Sequence, residues 1–96
     1  MGIQTISQLR ALIRSLNYVV STHAAEELDD DNLTILDLES IILTGRIVER
    51  QRDAKTRAGK LVVKGQTLDS NDAEAVVKVG FTGQLVIITA YLTDTN

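Results

Sequence analysis

The sequence predicts an α+β domain in which N-terminal helices pack on one face of a four-stranded, mainly antiparallel sheet. Apolar residues recur at helical spacing up to residue 44 and alternate at strand spacing after residue 45. Helices segregated from a run of consecutive strands imply a layered α+β architecture. A length of 96 residues suits one core, so residues 1–96 are expected to form a single domain.

Each element has its own justification. In the first helix, over about residues 5–16, Thr5 and Gln8 fit a capping box, and Ile6, Leu9, Leu12, Ile13 and Leu16 form one apolar stripe. Arg10 and Arg14 fall off that stripe, towards solvent, and Asn17 ends the helix. Tyr18-Val19-Val20 is a short apolar link that can be extended. Ser21 or Thr22 then caps a short helix from His23 to about Leu28, which Asp29-Asp30-Asp31-Asn32 ends. Thr34 and Asp37 mark the start of the third helix, with Leu33 and Leu38 as a hydrophobic staple and Ile35, Leu38, Ile41 and Ile42 as its buried face. Gly45 stands where a left-handed C-cap is expected. Beyond it, Ile47–Arg52 suits an outer strand, Asp53–Gly59 a turn and Leu61-Val62-Val63 a second strand. Ala73, Ala75, Val77, Val79 and Phe81 form the buried phase of a third strand, and Thr82-Gly83 a tight turn. Leu85–Leu92 is apolar in both phases, as a central strand covered on both sides would be.

Composition excludes several functions. With no Cys, a zinc ribbon, a disulfide scaffold and a thiol nucleophile are ruled out. A single His makes a His-based metal centre unexpected, and no cofactor is expected. No apolar run approaches the ~20 residues of a membrane span, so no membrane partner is expected. Met1-Gly2-Ile3-Gln4 carries neither a basic segment nor a long apolar one, which suggests a cytoplasmic location. The motifs GxSxG, GK[ST], HExxH and GxGxxG are absent.

The formal net charge of −3 conceals a division. Glu26, Glu27, Asp29, Asp30, Asp31, Asp37 and Glu39 form an acidic run without Lys or Arg. Arg46, Arg50, Arg52, Lys55, Arg57, Lys60 and Lys64 then outnumber Glu49 and Asp53. Such a basic stripe either protects a solvated strand edge or attracts phosphates despite the overall sign, because screening confines each charge to ~8–10 Å.

His23 is the one side chain whose unperturbed titration lies near neutrality. It can serve as a general base, with Tyr18, Tyr91 and Thr89 as hydroxyls and Arg46, Arg50, Arg52, Lys60, Lys64 and Lys78 as cations for an anionic transition state. That is the minimal kit for metal-free RNA cleavage. Equally, His23 can fix its helix by bonding a neighbouring strand. The acids that follow it are expected to repel phosphate.

Ser21-Thr22-His23-Ala24-Ala25-Glu26-Glu27, then Leu43-Thr44-Gly45-Arg46-Ile47-Val48-Glu49, then Leu85-Val86-Ile87-Ile88-Thr89-Ala90-Tyr91 together resemble the family called domain of unknown function 4258. The resemblance covers about residues 18–94. That family is similar in pattern to RelE-type and BrnT-type toxin domains. The resemblance therefore implies a RelE-like fold, metal-independent RNA cleavage and pairing with an antitoxin. It places His23 and Tyr91 in the catalytic site and Arg46 or Arg50 at the phosphate. Arg52, Lys60 and Lys64 complete the expected nucleic-acid-binding set. The alternative is a non-catalytic module of the same fold, with a homodimer or another protein as its partner.

Overall fold

The computed structural model describes residues 4–52 and 59–93. Residues 53–58 hold most of the expected turn after Arg52, together with Lys55 and Arg57. They lie outside the described residues, as do residues 94–96 of the tail. In chain order the elements are α1 (Ile6–Arg14), β1 (Tyr18–Val20), α2 (Thr22–Asp30), α3 (Ile35–Thr44), β2 (Arg46–Arg52), β3 (Gly59–Gln66), β4 (Asp72–Val79) and β5 (Leu85–Leu92).

The sheet has five strands, not four. Its order is β1-β5-β4-β3-β2. The meander β2–β5 is antiparallel, and the link Tyr18-Val19-Val20 is the fifth strand, parallel to β5 through Tyr18↔Leu85, Val19↔Val86 and Val20↔Ile87. Three residues leave too short an alternation to distinguish a strand from a linker, and the parallel partner lies far along the chain.

Local chemistry sets the helix ends. Thr5 and Gln8 close the capping box of α1, and Thr34 and Asp37 that of α3. Ser21 caps α2 by accepting from the N–H of Ala24. α1 and α2 end in matching motifs. The N–H of Asn17 reaches the carbonyl of Leu12 and that of Leu16 the carbonyl of Ile13; Leu33 and Asn32 repeat this on Leu28 and Asp29. This 6→1 and 5→2 pattern is a Schellman close, with Leu16 and Asn32 in the left-handed region at φ 58 and 56. Leu16 is thus 72% exposed rather than part of the apolar stripe. α2 also runs two residues past Leu28, through Asp29 and Asp30.

Gly45 is not left-handed; it is extended, at φ −89 and ψ 176. Close approach requires it: a Cβ there would stand 2.4 Å from the Ile41 carbonyl oxygen and 2.6 Å from Val63 Cγ1. A Cβ at Gly65 would be tighter still, 2.0 Å from the same oxygen. These two glycines let the C-terminal end of α3 rest directly on β3. Arg10, expected in solvent, is half-buried, and its guanidinium donates to the Gly45 carbonyl at 3.0 Å.

One sheet face carries the core: Leu61 and Val63, Ala73, Ala75 and Val77, and Leu85, Ile87 and Ala90, against Leu9, Ile13, Ala24, Leu28, Leu38, Ile41 and Ile42 of the helices. Ile35, expected in the buried face of α3, is 46% exposed, and Phe81 lies wholly exposed beyond β4.

Candidate functional site on the open sheet face

Two register shifts decide what faces away from the helices. In β5 the pairing passes from Val77↔Ile87 to Val76↔Thr89, so Ile88 is an extra residue. Such a bulge reverses the in–out phase. Leu85 and Ile87 face the core before it and Ala90 after it, which sends Thr89 and Tyr91 to the open face. The change of phase accounts for part of the apolar character of β5; Val86, opposite Lys78, is half-buried on the open face. In β2 the pairing passes from Ile47↔Val63 to Glu49↔Val62, leaving Val48 as the extra residue, 45% exposed. Arg46 lies on the open face and Arg50 and Arg52 on the helix side. Arg50 donates to the carbonyl of Gln4 at 2.9 Å.

One register row of the open face accordingly reads Arg46, Lys64, Glu74, Tyr91. Lys60, opposite Gln51, and Lys78, opposite Val86, share that face. The Tyr91 hydroxyl donates to Glu74 Oε1 at 3.0 Å. Burial, then the bond to Glu74 and the charges of Glu74 and Glu27, push its pKa above the ordinary tyrosine value. Tyr18 lies apart, on the helix side, with its hydroxyl on Glu39.

α2 closes the row at the edge of β5. β1 ends at Val20, so β5 loses its strand partner beyond Ile87, and α2 takes over. The Ser21 N–H donates to the Ile87 carbonyl and its hydroxyl to the Ile88 carbonyl. Glu27 Oε1 accepts from the Ala90 N–H at 3.0 Å and from the Thr89 hydroxyl. Asp31 Oδ2 accepts from the Leu92 N–H at 3.1 Å. These carboxylates replace the missing strand. Asp37 accepts from Thr34 and Leu68 N–H groups, which hold its carboxyl below the usual range, the Thr34 bond most strongly. Four of the seven acids of the acidic run are thus engaged in structural bonds.

His23 is 69% exposed, with Nε2 3.5 Å from Glu27 Oε2. Because Oε1 is held by β5, Oε2 is presented to the imidazole in a fixed position. The row therefore brings Tyr91, Lys64 and Arg46 together on one face with the His23–Glu27 pair at its end, and leaves Arg50 and Arg52 out. Glu27 and Glu74 escape a reading from the sequence. The i,i+4 spacing of His23 and Glu27 is the available signal for the first, whereas Glu74 depends on the phase of β5. Among the described residues no group of three metal-capable side chains converges, and no helix is long and apolar enough to cross a membrane.

The profile described as "Domain of unknown function (DUF4258)" matches residues 20–92. No curated protein and no solved structure matches the chain.

Proposed function

We propose that this chain, which belongs to the DUF4258 family, is a toxin-type, RelE-like domain that cleaves single-stranded RNA without a metal ion. The observation that carries this reading is the His23–Glu27 pair beside the row of Tyr91, Lys64 and Arg46. A carboxylate fixed by the backbone orients an imidazole and favours one tautomer, as in other carboxylate–histidine pairs. With Nε2 turned to Glu27, Nδ1 is free to accept the proton of a ribose 2′-hydroxyl. The 2′-oxygen then attacks phosphorus, the bond from phosphorus to the 5′-oxygen breaks, and solvent protonates the departing oxygen. Lys64 balances the charge that builds on the phosphoryl oxygens, with Arg46 one strand further along the row. Tyr91 keeps its proton on Glu74 Oε1 and so holds that carboxylate within the row.

The purified chain, incubated with unstructured RNA in excess chelator, is expected to yield 2′,3′-cyclic phosphate ends. His23→Ala should lower the rate about 100-fold or more, the usual share of a general base, and should relieve growth arrest on expression. If wild type and His23→Ala are equally inactive, or equally active, the reading fails.

A second reading, a dimerisation module, draws on Phe81. It lies wholly exposed, in sequence between Val79 and Gly83, which with Gln4, Gln8, Ala11 and Leu12 line a cleft of about 320 Å³. Light scattering separates the two, since a dimer that falls to monomer in Phe81→Ser and cleaves nothing favours the module.

A further inference from the structure

A second cleft, of about 290 Å³, opens at the Gln66 end of β3, lined by Thr44, Arg46, Lys64, Gly65, Gln66 and Asp72. This is near the lower end of small-ligand pocket sizes, too small for a helix and suited to one base. Its chemistry is divided. Arg46 and Lys64 are paired in register on one side and have no carboxylate partner among the described residues. Asp72 stands on the other, opposite Gln66, whose amide reaches Asp72 Oδ1 only at 3.4 Å. The Gln66 backbone is already satisfied, because its N–H donates to the Thr44 hydroxyl at 2.9 Å and its carbonyl accepts from the Ser40 hydroxyl at 2.8 Å. The wall is therefore rigid while its side chains remain available.

We infer that this cleft is a nucleobase subsite selecting guanine. Guanine alone among the four RNA bases presents two acceptors, O6 and N7, along one edge and two donors, N1–H and N2–H, beside it. Arg46 alone can bind the first pair bidentately, which leaves Lys64 to the phosphate, and the Asp72 carboxylate accepts the second. Uracil offers Asp72 a single ring N–H. Adenine and cytosine each offer an amino group but place an acceptor where N1–H would have to donate, against the carboxylate. Reading the Watson–Crick edge of an unstacked base is how proteins select single-stranded RNA. Asp72 lies two residues before Glu74 on β4, about 7 Å along the strand, and Glu74 holds Tyr91. A base seated in the cleft thus places its neighbouring phosphate at the row of Lys64 and Tyr91. The inference rests on the RNA-cleaving reading for the identity of the ligand, but not for its test.

The test is a titration of the isotope-labelled full chain with the four nucleoside 3′-monophosphates and with inorganic phosphate, followed through backbone amide signals. 3′-GMP should shift Lys64, Gln66 and Asp72 at concentrations about tenfold lower than 3′-UMP. Asp72→Asn should remove that preference while leaving the phosphate response intact. Shifts of all three residues at the same concentration with all four nucleotides, or shifts of Gln66 and Asp72 with phosphate alone, would mean an anion site without base selection and overturn the inference. Selective binding of 3′-GMP by a chain that cleaves no RNA keeps the subsite and removes the nuclease reading.

Discussion

Leu16 carries a Cβ in a backbone conformation that favours none. Its φ of 58 closes α1 and its side chain is 72% exposed, so little burial offsets the strain of a left-handed residue, roughly 1–2 kcal/mol. Leu16→Gly relieves that strain and returns about half of it as backbone entropy. The expected net gain is about 0.5–1 kcal/mol, read as a rise in Tm of a few degrees for a domain of this size. Gly45 behaves in the opposite way. Its backbone would accept any residue, yet a Cβ would meet Ile41 and Val63. Gly45→Val should therefore lower the free energy of unfolding by about 1–3 kcal/mol through overpacking, read from denaturant unfolding. Tyr18 adds a pH dependence. Burial, with the bond to Glu39 and its charge, pushes its pKa up from 10.0 to about 12. The folded state thus favours the neutral phenol; that contribution is complete below pH 10 and fades as pH rises through 12. Tyr18→Phe should flatten the loss of stability between those values, with the tyrosinate absorbance reporting the remaining titration.

At the scale of elements, α2 is both a helix and the missing edge of β5. Glu27→Ala leaves the Ala90 N–H without its acceptor, and Asp31→Ala does the same to Leu92. Each should cost about 1–3 kcal/mol, the penalty of an orphaned buried donor. Hydrogen exchange should accelerate at Ala90 in the first variant and at Leu92 in the second, while the amides of β3 remain protected. Glu27→Gln keeps an acceptor and should be milder. The same elements explain how far the residues alone could be read. The N-terminal caps and the alternation of β4 as far as Val77 follow from local chemistry, and each is present. The two bulges do not. Val48 and Ile88 are ordinary strand formers, and only the pairing with β3 and β4 makes them surplus. One bulge sends Tyr91 to the open face, and the other separates Arg46 from Arg50 and Arg52. In the sequence Glu27 and Asp31 read simply as charges opposing phosphate, because their backbone partners lie some 60 residues away in the chain.

For the molecule as a whole, the net charge of −3 sits unevenly. Helices cover one sheet face and bring most of the acids with them, whereas Arg46, Lys60, Lys64 and Lys78 lie on the other with Glu49, Asp72 and Glu74. Glu74 is occupied by Tyr91, and Glu49 accepts from Gln51 at 2.8 Å. At physiological salt the Debye length is about 8 Å, so an RNA strand on this face responds to the local cations rather than to the total. Binding of a short single strand should therefore weaken linearly as log K against log salt. The slope is about −0.7 for each phosphate neutralised, hence roughly −2 to −3 if three or four of these cations engage. Lys64→Ala should reduce the magnitude of the slope by about one such unit. Arg50→Ala and Arg52→Ala, on the helix side, should leave it unchanged. Fluorescence anisotropy of a labelled oligonucleotide between 50 and 200 mM salt measures each slope. A slope that is flat in the wild type, or that drops equally with Arg50→Ala and Lys64→Ala, would mean that the open face is not where nucleic acid binds.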